Sequence, residues 1–241
     1  MKKLGHLGVY TLLVFLSVYL PELGVVHLTK FLGWGIDGYS IISLVWELVL
    51  VVLFVFWLKK KEMLYIFEKK GSNKSRFFYL LFGLVATCFV RQLVDTFQIQ
   101  YHYLVDNKYI FQDLLSVLYS NGQPTFLSTV LSFSLTVVVA PISEELIDRG
   151  YFMNTFFPQF KYYLDVILSA LIFGLSHLVL SHRDPISLII YSFVGLFFAL
   201  VYRWTKNLKI TILCHSFFNF LIYAKPIWIF VYNYVYYHFL R

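Results

Sequence analysis

The sequence predicts an all-α fold, a polytopic transmembrane helical bundle of about eight spans, and three observations carry that expectation. First, 59% of the 241 residues are hydrophobic and only 14% are charged, with a mean hydropathy of +0.71. Soluble domains average roughly 45–50% apolar and about 25% charged residues. Second, the apolar residues fall into repeated runs of roughly 20, the length that crosses a ~30 Å hydrocarbon core at ~1.5 Å per helical residue. Third, these runs lack the period-two alternation of the ~10-residue strands of a membrane barrel. Backbone amides in lipid need partners within their own segment, which leaves the helix as the spanning element.

The predicted spans are 7–27, 39–58, 77–97, 126–147, 162–181, 186–203, 208–223 and 226–240. The N-terminus, Met1-Lys2-Lys3 before an apolar run, has the charge pattern of a signal peptide. No small-residue cleavage site follows, so it is read as an uncleaved first span. The segment 98–124 carries Tyr101, Tyr103, Tyr109, Phe111, Leu114, Leu115 and Leu118 among polar residues. It is expected to lie as an amphipathic helix at the outer surface. Without internal repeats or low-complexity linkers, residues 1–241 read as a single membrane domain.

The formal net charge of +7 does not point to nucleic acid. Seven of the 20 basic residues (Lys59, Lys60, Lys61, Lys69, Lys70, Lys74 and Arg76) sit in one loop after an apolar run. That is the mark of a cytoplasmic loop beside anionic head groups. Alternating eight spans from it places both termini in the cytoplasm, with fifteen basic residues inside, four outside and Arg91 within a span. The two cysteines, Cys88 and Cys214, lie in apolar runs and read as small hydrophobes, with no zinc-type spacing.

Acidic residues inside spans are informative, because an ionised carboxylate at mid-bilayer costs a few kcal/mol or more. Glu144 and Glu145 fall near the inner end of the fourth span, in Pro141-Ile-Ser-Glu-Glu-Leu-Ile-Asp-Arg149. Pro141 removes an amide donor and is expected to kink the helix and open a polar cavity. Glu145 and Arg149, four apart, share a helical face and suit an ion pair. Glu144 points about 100° away, with the like charge of Asp148 one turn on. Taken alone, a solvated cytoplasmic helix end explains these residues equally well. Two further i, i+4 pairs shift the balance: Phe173 with His177, and His215 with Asn219. Histidine exchanges protons near neutral pH, and an Asn amide donates to a developing oxyanion. Glu47 and Arg91 are expected to pair between spans two and three, and Asp165 to face the cytoplasm. His6, His27, His102, His182 and His238 are assigned to span ends or loops, and Ser143 and Ser176 to helix packing.

Glu144-Glu145-x-x-x-Arg149, Phe173-x-x-x-His177 and His215-x-x-x-Asn219, in that order, resemble the three motifs of the CPBP family. These are the CaaX prenyl endopeptidases and the bacteriocin-processing or bacteriocin-immunity membrane proteins, also called Abi proteins. The resemblance covers roughly residues 120–225, the CPBP-like core. It implies an intramembrane endopeptidase acting on a membrane-associated peptide or protein. Glu144 would be the base that activates water, assisted by His177. His215 and Asn219 would stabilise the oxyanion, Glu145 and Arg149 would form the supporting ion pair, and Phe173 would pack the site.

No cofactor is favoured. Zn²⁺ is the alternative, with Glu144, His177 and His215 as ligands and one open position. The lack of a His-Glu-x-x-His pair, and the poor fit of Asn219 as a ligand, favour a metal-independent glutamate mechanism. The resemblance suggests a bacterial cell membrane and processing of, or self-immunity to, a bacteriocin or leader peptide. Two competing functions are weighed: a non-catalytic scaffold or immunity partner that binds a membrane sensor or transporter, and a proton-coupled transporter. The second lacks the inverted repeats expected of it. Partners expected are the substrate and the lipid bilayer, without nucleic acid; oligomeric state is left open.

Overall fold

A computed structural model describes residues 2–67, 73–104, 125–157, 163–178 and 185–236, and every regular element among them is helical. Helix α1 (Lys2–Val14) continues through π-helical turns at Phe15–Tyr19 and Pro21–Val25 into α2 (Val26–Leu32). The two halves are bent by 49° around Pro21, whose missing amide and ring weaken the helical ladder there. Gly33 ends α2 in the left-handed conformation, φ 67°, where a Cβ would be strained. Helices α3 (Gly35–Lys60) and α4 (Asn73–Leu104) follow, joined in part by a 3-10 turn at Leu64–Phe67. The site region is built from α5 (Phe126–Phe156), α6 (Leu164–His177), α7 (Pro185–Thr205) and α8 (Leu208–Val235).

Four helices, within α3, α4, α5 and α7, are long and apolar enough to cross a membrane, or five if the bent α1–α2 pair is one span. The sequence predicts about eight spans; four or five helices meet this length and composition among the described residues. Helix α6 and the apolar part of α8, Leu208–Ala224, are shorter than a full crossing. The predicted spans 208–223 and 226–240 do not separate, because one helix runs from Leu208 to Val235. A single Lys225-Pro226 step removes one backbone hydrogen bond, and helices in apolar surroundings tolerate such a loss without turning. Residues 105–124, most of the proposed surface helix, lie outside the described residues; its start, 98–104, continues α4.

The helices present large apolar side chains outward, among them Val49, Val52, Leu53 and Phe56 on α3 and Phe78, Phe82, Val85 and Phe89 on α4. Exposed apolar area on that scale is the surface of a protein solvated by lipid. Inward, α3 buries Ile36, Tyr39, Ser40, Ser43, Glu47, Leu50, Phe54 and Leu58, a stripe at three- and four-residue spacing. Its apolar end joins Tyr10, Leu146, Tyr151, Phe152 and Leu208 in the main core. Its polar end faces α5, where Ser40 meets Ser132 at 3.3 Å.

Helices α6 and α7 approach closely at two glycines. A Cβ on Gly174 would stand 2.1 Å from the Ser192 hydroxyl, and one on Gly195 would stand 2.9 Å from the Phe173 Cβ. Small residues let backbones meet where lipid supplies no hydrophobic drive for helix association.

One predicted pairing and one predicted exposure are revised. Arg91 does not reach Glu47; it pairs with Asp95 on its own helix and lies over the Phe218 ring, 5.2 Å from its centroid. A partner one turn away costs less ordering than one on another helix. Asp165 does not face solvent: it is buried and accepts from Arg203 Nη1 at 2.6 and 2.5 Å.

Candidate active site

Glu144 and Glu145 sit at the centre of α5, between π-helical segments at Leu135–Val139 and Leu146–Met153. Pro141 falls in the first turn of the short α-helical stretch Ala140–Glu145. A proline is accommodated there because a widened turn precedes it and its missing amide is not needed. Around Pro141, where a kink is expected, the helix runs on continuously with a widened turn on each side. Wide turns of this kind displace the side chains that follow and recur at functional sites.

The two carboxylates diverge. Glu145 is fully buried. Its Oε1 accepts from Arg149 Nη1 at 3.0 Å and from His215 Nδ1 at 2.9 Å. Arg149, also fully buried, donates through Nη2 to the Gly195 carbonyl at 2.9 Å and lies 3.6 Å from Asp148 Oδ2. Its guanidinium stacks over Phe173, 4.8 Å from the ring centroid. Asp148 accepts from the Tyr10 hydroxyl of α1 at 2.7 Å. Burying a charge is tolerable only when it is paired and its hydrogen bonds are met, and Arg149 serves both acids and α7 at once.

Glu144 has a different environment. Its Oε2 is buried without a hydrogen-bond partner and lies 3.7 Å from both His177 Nε2 and His215 Nε2. The orientation of each ring follows from its other nitrogen. His177 Nδ1 is 2.8 Å from the Phe173 carbonyl, an acceptor, so Nδ1 carries hydrogen and donates. His215 Nδ1 donates in the same way to Glu145. In the neutral rings both Nε2 atoms are then acceptors turned toward a third acceptor, Glu144. Such an arrangement needs a donor, either a bridging water or a proton on one of the three groups.

Aromatic faces hold the rings in place. His177 lies between Phe173 at 4.1 Å and Tyr191 at 4.8 Å, and His215 stacks on Phe198 at 4.2 Å.

Of the residues singled out in the sequence, Glu144, Glu145, Arg149, Phe173, His177 and His215 thus meet in one place. Asn219, one turn beyond His215, donates to the Thr136 carbonyl of α5 at 2.9 Å. Ser176 bonds within its own helix, to the Phe173 carbonyl at 2.9 Å. His6 contacts the Tyr151 hydroxyl at 2.8 Å, whereas His182 and His238 lie outside the described residues. Sequence reasoning missed Tyr10 and Ser17 and gave Glu47 a different partner; all three reach α5 from the first two hydrophobic segments. The one available signal was Glu47 itself, an acid in the middle of an apolar run.

Among the described residues no group of three His, Cys, Asp or Glu side chains is placed to hold a metal ion, the Glu144–His177–His215 set included.

A helical membrane protein with paired buried carboxylates facing two ring-locked histidines is the class that fold and site define. Residues 126–221 match the family described as Type II CAAX prenyl endopeptidase Rce1-like. The chain is 32% identical over 111 residues to an uncharacterized protein of Mycoplasma capricolum subsp. capricolum, covering 46% of this chain and 32% of that one. It is 29% identical over 89 residues to the Bacillus subtilis (strain 168) protein named "Putative membrane peptidase YdiL", covering 37% and 34%. The chain therefore spans about a third of the length of the curated relatives it matches. No solved structure gives a significant match. Over this segment the chain is similar to Type II CAAX prenyl endopeptidase Rce1-like proteins and to a protein named as a membrane peptidase.

Proposed function

We propose that this protein is an intramembrane endopeptidase in which Glu144 activates water for attack on a peptide bond. The observation that carries the reading is the buried, unpartnered Oε2 of Glu144 at 3.7 Å from two imidazole Nε2 atoms. A water bridging Glu144 and His177 would lose its proton to the carboxylate as it attacks. The same proton, relayed by Glu144 or His177, is available to the leaving amine.

His215 is suited to the opposite role. Its Nδ1 proton is held by the Glu145 carboxylate, which stabilises a positive ring, and a protonated Nε2 donates to the oxyanion of the tetrahedral intermediate. Asn219 has a second amide hydrogen beyond the one given to Thr136, and the family resemblance gives it the same task. Arg149 holds Glu145, and through it His215, in register.

The substrate class is a membrane-associated peptide or protein, with bacteriocin or leader-peptide processing and self-immunity as the narrower readings drawn from the family resemblance. A prenylated CaaX substrate would carry its lipid on a Cys near its C-terminus.

Comparative peptidomics of membranes from wild-type, Glu144→Ala and His177→Ala cells tests the activity and reveals the substrate. The expected result is a set of cleavage products lost in both variants, with turnover reduced by about 10²-fold or more. If both variants process every peptide normally at normal abundance, the protein acts as a scaffold instead. Stoichiometric zinc in the purified protein, together with chelator-sensitive cleavage, would replace the glutamate mechanism with a metal-dependent one.

A further inference from the structure

The first two hydrophobic segments lie outside the family-matched region, yet they bring polar groups against α5, Ser17 and Glu47 among them. Glu47 of α3 is buried within a largely apolar helix. The Ser17 hydroxyl, in the π-helical turn Phe15–Tyr19, donates to Glu47 Oε1 at 2.6 Å. The same Ser17 oxygen lies 3.1 Å from the Ser143 hydroxyl. A hydroxyl has one proton, and Ser17 gives its own to Glu47, so the second bond runs from Ser143 to Ser17. A directed chain therefore leads from Ser143 through Ser17 to Glu47. Ser143 is the residue immediately before Glu144. The Ser17 turn is itself fixed by the Trp46 indole, which donates to the Leu16 carbonyl at 2.8 Å.

A carboxylate buried in apolar helices is expensive unless it has a use. Glu47 is also close enough to Glu144 for their charges to repel, so its placement is unfavourable for simple packing.

We propose that Glu47 is a positioning residue for the water-activating carboxylate, anchoring the Ser143–Glu144 turn of α5 through Ser17. The inference rests on the role given to Glu144 above. The groups around that carboxylate are Glu145, Asp148 and Arg149 on α5, Glu47 on α3, His177 on α6 and His215 on α8. Of these, Glu47 reaches α5 through hydroxyls. Its effect should therefore follow hydrogen-bonding capacity rather than charge.

The test compares Ser17→Ala, Glu47→Ala, Glu47→Gln and Glu144→Gln in the full chain, in membranes. Glu47→Gln keeps an oxygen that accepts from Ser17, whereas Glu47→Ala does not, and Ser17→Ala breaks the chain with the Glu47 charge retained. Ser17→Ala and Glu47→Ala should lower kcat about tenfold at unchanged KM, as small displacements of a reacting group do. Glu47→Gln should stay within about twofold of wild type, since it keeps the acceptor.

A second readout needs no turnover: labelling of Glu144 by dicyclohexylcarbodiimide, an apolar reagent for buried carboxyls, followed by mass spectrometry. A loosened turn should label several-fold faster in Ser17→Ala than in wild type, and in Glu47→Ala than in Glu47→Gln, pairs matched in formal charge at position 47. Equal labelling within each pair overturns the proposal whether or not cleavage is observed, and so does Glu47→Gln as impaired as Glu47→Ala. Full activity in Glu144→Gln instead sinks the catalytic reading, leaving the labelling result to decide the anchor alone.

Discussion

Arg149 and Glu145 are completely withdrawn from the surface, and Arg149 is shared among Glu145, Asp148 and the Gly195 carbonyl. Removing it would leave two buried acids without their shared cation, a loss of about 3–5 kcal/mol for a broken buried pair. Arg149→Met is therefore expected to unfold at a markedly lower temperature in detergent, whereas Glu144→Gln, which removes a charge without a hydrogen-bond partner, should leave that temperature nearly unchanged. Arg149→Lys should rescue little, because a single ammonium cannot span both Glu145 and Gly195 as the fork does. The Glu145–Arg149 contact was legible in the sequence because i, i+4 spacing is local. The contact from His215 to Glu145 was not, since 70 residues separate them and no periodicity links two helices. Glu47 was visible as an anomaly but was assigned the wrong partner. Arg91 offered the opposite charge, while the groups that actually receive Glu47 are neutral hydroxyls.

Between helices, the decisive contact is the α6–α7 crossing, which sets both Phe173 and the carbonyl that Arg149 uses. A methyl on Gly174 would meet the Leu188 carbonyl at 3.0 Å as well as the Ser192 hydroxyl. The carbonyl is backbone and cannot rotate away. Gly174→Ala should cost about 1–3 kcal/mol as an overpacked contact, read as a lower unfolding temperature. Gly8→Ala, whose Cβ would meet nothing within 4 Å, serves as the control and should change little. Apolar runs announced the helices themselves. Their ends were harder to read, because proline is an unreliable stop in apolar surroundings. Pro141 and Pro226 both lie within continuous helices, while Pro21 marks a bend.

On the scale of the whole chain, the sequence made the helical membrane class plain, and four or five of its eight apolar runs are helices of full crossing length among the described residues. Hydropathy reports that a segment is apolar, which short buried helices around a site share with true spans. Sidedness rests on the basic residues near Lys59–Lys61, and a reporter fused after residue 65 should be active inside the cell; activity confined to the outside would reverse the proposed orientation. Helix α6, with 14 residues, is only about 21 Å long at ~1.5 Å per residue, against a hydrocarbon layer of ~30 Å. Lipids beside a span of that length would shorten or splay to match. His177 is the last residue of that helix, so such thinning would fall beside the proposed water-activating pair. On the proposed function, bilayer thickness would then be one of the variables that govern hydrolysis.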